Sequence, residues 1–318
     1  MPKDKISRSK KKIARSKRSA KPPKTIGILH SGTRGKHNKE ITQFLKYLKQ
    51  AGYSVHTNLT IAPNGIPLWS DDDPQKLTNN AKTLATTAGV DLIIGAGGSA
   101  SVYAAQGATS TNGRPVVFTS FSQRISPANN MTGVCARTSE LDVDRLTHLY
   151  NLVQPQPQTT FGVLENQKRS DYDKSKLDDE ARRLNLRLDR ISVFKQPGEI
   201  DQDVITRINN AFTKWKQNGL KTALVAADPI FNDHRKELIS AAKSSGIATM
   251  HQWHEFVDEG AYASYGTSIK EAYQKAGIIA GRVLDGEAPS AIPVYVLGNI
   301  ALPINRATAK RLRLTPKA

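Results

Sequence analysis

The sequence contains a single cysteine and no long apolar run. Cys135 has no partner for an intramolecular disulfide, and one thiol excludes a cysteine-based zinc or iron–sulfur site. It lies in the apolar run 132–136, which predicts a buried, unreactive thiol. Apolar runs such as 92–94 and 115–118 fall far short of the roughly 20 residues that a membrane-spanning helix needs. No transmembrane helix is therefore predicted.

The positive charge of the chain, +18 in total, is concentrated at its start. Residues 1–24 hold eleven Lys or Arg residues against one acid, Asp4, and they contain no aromatic residue. Such a segment buries too little surface to offset the cost of ordering it, so we predict a basic disordered tail over 1–24. Three interpretations stay open: a tail without a specific partner, non-specific contact with nucleic acid or anionic lipid, and a leftover targeting sequence.

From residue 25 onward, apolar strand-like runs alternate with amphipathic segments of helical length. This alternation predicts an α/β fold with parallel sheets. It restarts after a Pro/Gln-rich break at 154–158, which indicates two Rossmann-like lobes joined by a multi-strand hinge. We expect the N-terminal lobe to comprise 25–153 plus about 258–286, and the C-terminal lobe 154–257 plus about 287–318.

Small, hydroxylated and amide residues follow the predicted strands, where doubly wound sheets bind their ligands. This composition suits a polar solute and contains few acid–base groups, so it favours binding over catalysis. The predicted ligand-binding residues are Ser31, Gly98, Ser99, Ala100, Thr119, Ser120, Asn166, Asp228, Trp253 and Tyr265.

The run 95–100 matches the G-x-G-x-x-A pattern between a strand and a helix. Nucleotide binding is disfavoured, because the run follows the third strand of its lobe and no acidic residue lies between Ala100 and Glu140 to hold a ribose. We expect the helix N-terminus and the Ser99 hydroxyl to bind a carboxylate instead. Tight-turn glycines without a ligand are the alternative.

Three further sites have a functional and a structural interpretation. Asp228 either pairs with a ligand ammonium or caps the following helix, and one residue can do both. Trp253 and Tyr265 either stack on a ligand or pack in the hinge or core. The run 71–73 is either a carboxylate site or, as we favour, a solvated helix-capping run with Asp73 as the N-cap. No metal site is predicted, since the pair His251 and His254 follows a strand and lacks further ligands. No cofactor is expected.

Several segments together resemble a family of ABC-transporter substrate-binding proteins. They are 227–232, 251–260, 264–266, 281–287 and 304–310, and the resemblance covers roughly residues 25–315. It implies a type I periplasmic-binding-protein fold with a three-stranded hinge, and some relatives bind aromatic amino acids. The segment Ser120–Arg124 departs from the Asp-Pro turn that relatives often have there, which allows a different ligand.

The resemblance implies a solute-binding component of an ABC-type uptake system. The expected partners are a small polar or amino-acid-like solute and a membrane permease, without a specific nucleic acid, and we expect a monomer. The alternative is a cytoplasmic ligand sensor of the same fold whose basic tail contacts nucleic acid or anionic surfaces. The resemblance also implies a periplasmic location. No signal peptide or lipid-modified cysteine is visible in the sequence, so a cytoplasmic location is the alternative.

Overall fold

Two parallel β-sheets, each covered by helices on both faces, form two lobes. The computed structural model describes residues 21–168, 174–196 and 198–316. The predicted basic tail over 1–24 thus falls largely outside the described residues. Its last residues are packed: Lys24 begins the first strand, and the Lys21 ammonium lies 2.6 Å from the Asp285 carboxylate.

The sheet of lobe 1 has seven strands in the order β12-β6-β5-β4-β1-β2, with β3 beside β1. Its strands are β1 (Lys24–His30), β2 (Leu59–Ala62), β3 (Leu68–Trp69), β4 (Leu92–Ala96), β5 (Val116–Phe121), β6 (Met131–Cys135) and β12 (Tyr295–Val296). Because helices cover both faces, the central strands are largely apolar and buried; every residue of β4 is buried. Cys135 is buried in β6, as predicted.

The sheet of lobe 2 has five strands in the order β11-β10-β9-β7-β8. They are β7 (Thr160–Glu165), β8 (Arg187–Ser192), β9 (Thr222–Val225), β10 (Ala248–Trp253) and β11 (Ala263–Thr267). Gly162 of β7 permits close packing, since a Cβ there would lie 2.7 Å from the Trp215 ring.

Helices alternate with these strands along the chain. They are α1 (Asn38–Gln50), α2 (Pro74–Thr86), α3 (Ser99–Thr109), α4 (Asp142–Val153), α5 (Lys174–Arg183), α6 (Asp201–Gln217), α7 (Pro229–Asp233), α8 (Arg235–Ser245), α9 (His254–Asp258), α10 (Ile269–Leu284) and α11 (Arg306–Arg311). The sequence explains which face of each helix is buried and where the helix begins. Ile41, Phe44 and Leu48 form the buried stripe of α1, and Asp73 caps α2 as predicted, accepting hydrogen bonds from two backbone amides. Within the described part of the chain, no helix combines the length and hydropathy of a membrane span.

The chain crosses between the lobes three times: after β6, between β11 and α10, and after β12. The crossings are bound to one another and to their neighbours by backbone hydrogen bonds. The Leu297 amide donates to the Cys135 carbonyl over 2.9 Å, and Gly266 and Ala301 exchange a pair of hydrogen bonds. The predicted α/β fold of two lobes with parallel sheets and a multi-strand hinge is confirmed.

A buried arginine on α4 supports two of the crossings. The Arg145 guanidinium donates to the Thr138 carbonyl over 2.6 Å and to the Tyr265 carbonyl over 2.7 Å. It also pairs with the Asp142 carboxylate at 2.6 Å. Charge-assisted bonds to backbone carbonyls thus fix where the chain first enters lobe 2 and where it leaves that lobe.

The predicted lobe boundaries differ from the observed sheets in three segments. Helix α4, counted with the N-terminal lobe from the sequence, packs on α5 and β10 of lobe 2. Strand β11 joins the second sheet, although α10 packs on α1 and β5 of lobe 1 as expected. Strand β12 joins the first sheet. The Pro/Gln-rich break at 154–158 lies inside lobe 2, so composition located a loop between elements rather than the boundary between lobes. The segment that leads into β2 contains an isolated bridge at Val55 and a turn at 56–58, so β2 begins only at Leu59.

Candidate functional site

A cavity of about 760 Å³ lies between the two lobes. Lobe 1 contributes the loops after its strands and the first turns of α2 and α3, and lobe 2 contributes the loops after β7, β8 and β9. The carboxyl ends of both parallel sheets therefore face this space, as expected for ligand sites of doubly wound sheets. Eight of the predicted residues line it: Ser31, Gly98, Ser99, Ala100, Ser120, Asn166, Asp228 and Trp253.

The N-terminus of α3 opens onto the cavity. Gly97 and Gly98 precede it with φ of +87° and +114°, a backbone conformation that side-chain-bearing residues rarely adopt. No described side chain caps the helix. The Ser99 and Ser122 hydroxyls lie 2.8 Å apart beside it. The exposed amides and the positive end of the helix dipole suit an anionic group of a ligand.

Asp228 lies on the opposite wall, at the end of β9. Its Oδ1 accepts from the Ile230 amide over 2.9 Å, so it caps α7, as the structural interpretation predicts. Its Oδ2 accepts from the Asn166 side-chain amide over 3.2 Å. These contacts fix the carboxylate at the surface of the cavity. This position is also compatible with the ligand-binding interpretation.

Asp72 is the acidic residue of the cavity that the sequence interpretation missed. The Asp72 amide donates to the Ser31 carbonyl over 2.7 Å, which ties this loop to the end of β1. Its Oδ2 is shielded from solvent and has no hydrogen-bond partner among the described residues. The sequence analysis favoured helix capping over a carboxylate site for the run 71–73, but Asp73 alone caps α2. The signal was the short strand β3 just before the run, which places Asp72 at the end of a parallel strand.

Burial raises the pKa of Asp72 well above its ordinary range, and the negative charges of Asp233 and Asp228 raise it further. The positive charges of Lys195 and Lys36 act to lower the pKa of Asp72. Asp72 belongs to lobe 1, whereas Asp228 and Asp233 belong to lobe 2. Closing the lobes thus gathers carboxylates from both sides at one corner of the cavity, an arrangement that favours a cation.

The remaining wall is largely apolar. It is formed by α2 and α3 of lobe 1 and by aromatic rings from both lobes, namely Leu77, Tyr103, Ala104, Gly107, Ala108, Phe194 and Trp253. Trp253 is also part of the core cluster of lobe 1, so one face of the ring packs while another borders the cavity. The cavity lining therefore combines charged groups with an apolar surface, which we call the apolar slot.

Two predicted site residues do not line the cavity. Thr119 is fully buried in β5 next to Tyr273, because alternate residues of a strand point to opposite faces and Ser120 takes the cavity side. The Tyr265 ring packs against His148, with centroids 4.1 Å apart, and its carbonyl accepts from Arg145. Tyr265 thus has the hinge-packing role that the sequence analysis gave as its alternative.

The two histidines considered for a metal site, His251 and His254, make structural contacts instead. His251 is buried with its ring stacked on Phe256, and the His254 ring lies 2.8 Å from the Gly266 carbonyl. Among the described residues, no group of three or more His, Cys, Asp or Glu side chains is placed to hold a metal ion.

Comparisons with known proteins give a consistent result. The chain matches 92% of its length to a conserved domain protein from Vibrio cholerae (TM-score 0.75, 18% identity, 96% of that chain). It also matches an ABC domain in complex with L-Trp from Streptococcus pneumonia (TM-score 0.70, 20% identity, 92% of this chain and 95% of that one). A third match is the ligand-free, open structure of a substrate binding protein with adhesive properties from Clostridium difficile (TM-score 0.60, 19% identity, 93% and 96%). The search of the curated proteins gave no match.

The family evidence comes from the sequence itself. The family model described as ABC transporter substrate binding protein matches residues 36–317, which include both lobes, the hinge and every residue of the cavity except Ser31. Two lobes that enclose a cavity are consistent with that match. This chain therefore belongs to the ABC transporter substrate-binding protein family, whose members bind small molecules and are not enzymes.

Proposed function

We propose that this protein captures an amino-acid-like zwitterion with a bulky apolar side chain and delivers it to an ABC permease. The observation that supports this ligand class is Asp72, which lines the cavity and whose Oδ2 is shielded from solvent without a hydrogen-bond partner among the described residues. An unpaired buried carboxylate is destabilising by several kcal/mol, or it takes up a proton. A ligand ammonium placed between Asp72 and Asp228 relieves this cost.

The carboxylate of the same ligand fits the N-terminus of α3. The backbone amides of this helix are open to the cavity and carry the positive end of the helix dipole, and the Ser99 hydroxyl lies beside them. Hydrogen bonds from a helix N-terminus to a ligand carboxylate are charge-assisted and therefore among the stronger ones. An α-amino acid carries an ammonium and a carboxylate on the same carbon atom, so one ligand can supply both charges.

The apolar slot accommodates the side chain. Leu77, Tyr103 and Phe194 border it, and aromatic rings there favour a flat, apolar group. Structural neighbours include proteins in complex with L-Trp, D-fucose and myo-inositol, so the fold by itself does not choose between amino acids and sugars. Asp72 favours the amino acid, since a ligand ammonium stabilises its ionised form and D-fucose and myo-inositol carry no cation that could do so.

Closure follows from contacts to both lobes. The ammonium would bridge Asp72 of lobe 1 and Asp228 of lobe 2, and a ligand bound to both lobes stabilises the closed form by its extra contacts there. We expect the permease to recognise this closed form. Since the family typically works in the periplasm, we propose that location for this protein as well.

The first experiment is calorimetric titration of the full chain with L-tryptophan, L-phenylalanine and L-leucine, and with D-fucose and myo-inositol. Two analogues of tryptophan separate the charges: tryptamine lacks the carboxylate and indole-3-propionate lacks the ammonium. We expect an aromatic amino acid to bind, and each analogue to bind about 10- to 100-fold more weakly, because hydrogen bonds to charged groups contribute about 1.5–3 kcal/mol each.

Matched variants locate the site. Asp72→Asn should weaken amino-acid binding about tenfold or more, whereas Asp179→Asn, an exposed carboxylate on α5, should leave it unchanged. Binding of a sugar with no response to amino acids would disprove the proposed ligand class, and binding that ignores Asp72→Asn would disprove the proposed position of the ammonium.

A further inference from the structure

A set of charged contacts joins the lobes beside the cavity. The loop between β1 and α1 contributes Thr33, Lys36 and His37 from lobe 1, and the junction of α7 and α8 contributes Asp233 from lobe 2. The Thr33 amide donates to Asp233 Oδ2 over 3.1 Å, and the His37 ring bonds to Asp233 Oδ1. We call these residues, with Asp201, the clasp.

Lys36 adds a second link between the lobes. Its ammonium lies 2.6 Å from Asp201 Oδ2 at the start of α6 and 3.2 Å from the His234 ring. The approach of the two loops is close, since a Cβ at Gly32 would lie 2.7 Å from Asp233 Oδ2. Opening the cleft therefore breaks every one of these contacts at once.

The burial of the central pair distinguishes it from an ordinary surface ion pair. The exposed fractions of His37 and Asp233 are 3% and 7% in the closed arrangement. Exposed pairs contribute at most about 1 kcal/mol, but separating a buried pair leaves each group to be rehydrated or unpaired. The protonation of His37 consequently affects the relative stability of the open and closed forms.

The groups around His37 set the direction of this effect. Burial alone would lower the pKa of His37, but the charge and hydrogen bond of Asp233 and the charge of Glu40 outweigh it, so the pKa is raised despite the opposing charge of Arg235. His30 from β1 stacks on His37 with ring centroids 4.5 Å apart. Burial, together with the nearby His37, holds the pKa of His30 well below its usual range, so His30 is neutral. Lys36 lies next to His37 in the chain, but its ammonium is held by Asp201.

We propose that His37 and Asp233, with Lys36 and Asp201, position the two lobes in the closed arrangement and make cleft closure proton-dependent. Closing brings His37 against Asp233, so the closed form binds a proton that the open form holds less tightly. Acidification therefore favours closure down to the pH at which His37 is protonated in the open form as well, and closure weakens as pH rises through the titration of His37 in the closed form. The proposal does not depend on the identity of the solute.

The test measures closure without any solute. Spin labels are attached in the full chain at Thr83→Cys on α2 and Asn209→Cys on α6, both exposed, while the native Cys135 is buried and does not compete. Pulsed electron paramagnetic resonance gives the populations of the short and long distances from pH 8.5 to 6.0. Because closure also gathers Asp72 with Asp233 and Asp228, the series is recorded in an Asp72→Asn background, which removes that second titration.

We expect the ratio of closed to open molecules to rise as the pH falls, by up to about tenfold per pH unit where His37 titrates. His37→Gln keeps a side-chain hydrogen-bond donor for Asp233 but does not titrate, so the ratio should lose this pH dependence. The control His56→Asn changes an exposed histidine at φ +67°, a conformation that asparagine tolerates, and it should retain the full dependence.

A second variant guards against misfolding of the first. Lys36→Met removes the link to Asp201 and should lower the closed fraction at every pH. Unchanged pH dependence in His37→Gln, or a closed fraction that ignores both His37→Gln and Lys36→Met, would overturn the proposal. Failure of the amino-acid proposal would leave these measurements unaffected, since no solute is present.

Discussion

At the scale of single residues, burial changes the chemistry of titratable groups that the sequence presents as ordinary. His251 lies inside β10 with its Nε2 2.8 Å from the Thr249 hydroxyl. Burial, with the charges of Arg145 and Arg235, lowers its pKa to about 3. The pKa of Asp72 shifts in the opposite direction, upward, because burial disfavours the charged form of acids and bases alike.

His251 makes a testable contribution to acid sensitivity. Its pKa is about 6.5 in the unfolded chain and about 3 in the folded protein, so the unfolded state binds more protons between these values. The contribution of His251 to the free energy of unfolding is fully present above about pH 6.5. It decreases as the pH falls, by up to ~1.4 kcal/mol per pH unit. We expect His251→Gln to flatten the fall in unfolding free energy between pH 6.5 and 4.5, measured by urea denaturation. A slope equal to that of the wild type would contradict this.

At the scale of elements, α4 illustrates how a helix determines the geometry of the hinge. Arg145 is fully buried and bonds to carbonyls of two different crossings as well as to Asp142. Asp142 in turn accepts from the Ala227 amide at the end of β9, over 3.1 Å. A single helix thus connects the hinge to the strand end that carries Asp228.

Replacing the buried guanidinium should therefore be severe. Arg145→Met leaves the Asp142 carboxylate without its cation and two carbonyls without their donor, and we expect a loss of about 3–5 kcal/mol in the free energy of unfolding. Arg182→Met, whose side chain is 76% exposed on α5, should change it by less than about 0.5 kcal/mol. Chemical denaturation of both variants measures the difference. Equal effects would show that the hinge does not depend on Arg145.

At the scale of the whole molecule, the two lobes are coupled through the cavity and the clasp. The cavity holds carboxylates from both lobes, and the clasp joins the lobes beside it. A solute that neutralises the carboxylates and a proton that strengthens the clasp should thus act on the same equilibrium between open and closed forms.

This coupling predicts a change in shape that depends on pH. At pH 8.5, where the clasp is weakest, saturating L-tryptophan should reduce the radius of gyration measured by small-angle X-ray scattering. At pH 6.0 the ligand-free protein should already be more compact, so the same addition should change it less. Calorimetric binding of L-tryptophan with no change in radius at pH 8.5 would contradict closure by the ligand.

Local patterns in the sequence were sufficient for the fold class. Apolar runs, Asp73 before Pro74, and the glycines before Ser99 depend on interactions within a few residues, and these predicted the strands, the start of α2 and the loop before α3 correctly. They also placed Asp228 and Trp253 at strand ends that face the cavity. Strand ends are predictable because all parallel strands of one sheet end at the same edge.

Tertiary structure alone decided which lobe each segment joins and which charges meet. The sequence does not reveal that α4 and β11 belong to lobe 2, because an apolar pattern within one element does not specify the sheet that the element joins. His37 and Asp233 are separated by 196 positions, and Asp72 lies far in sequence from Asp228. Such pairs are set by the crossing of the chain between lobes, a long-range property that no local periodicity records. Local sequence patterns therefore determined the strands, helices and turns of this protein. The crossings of the chain between the lobes determined which residues meet at the site.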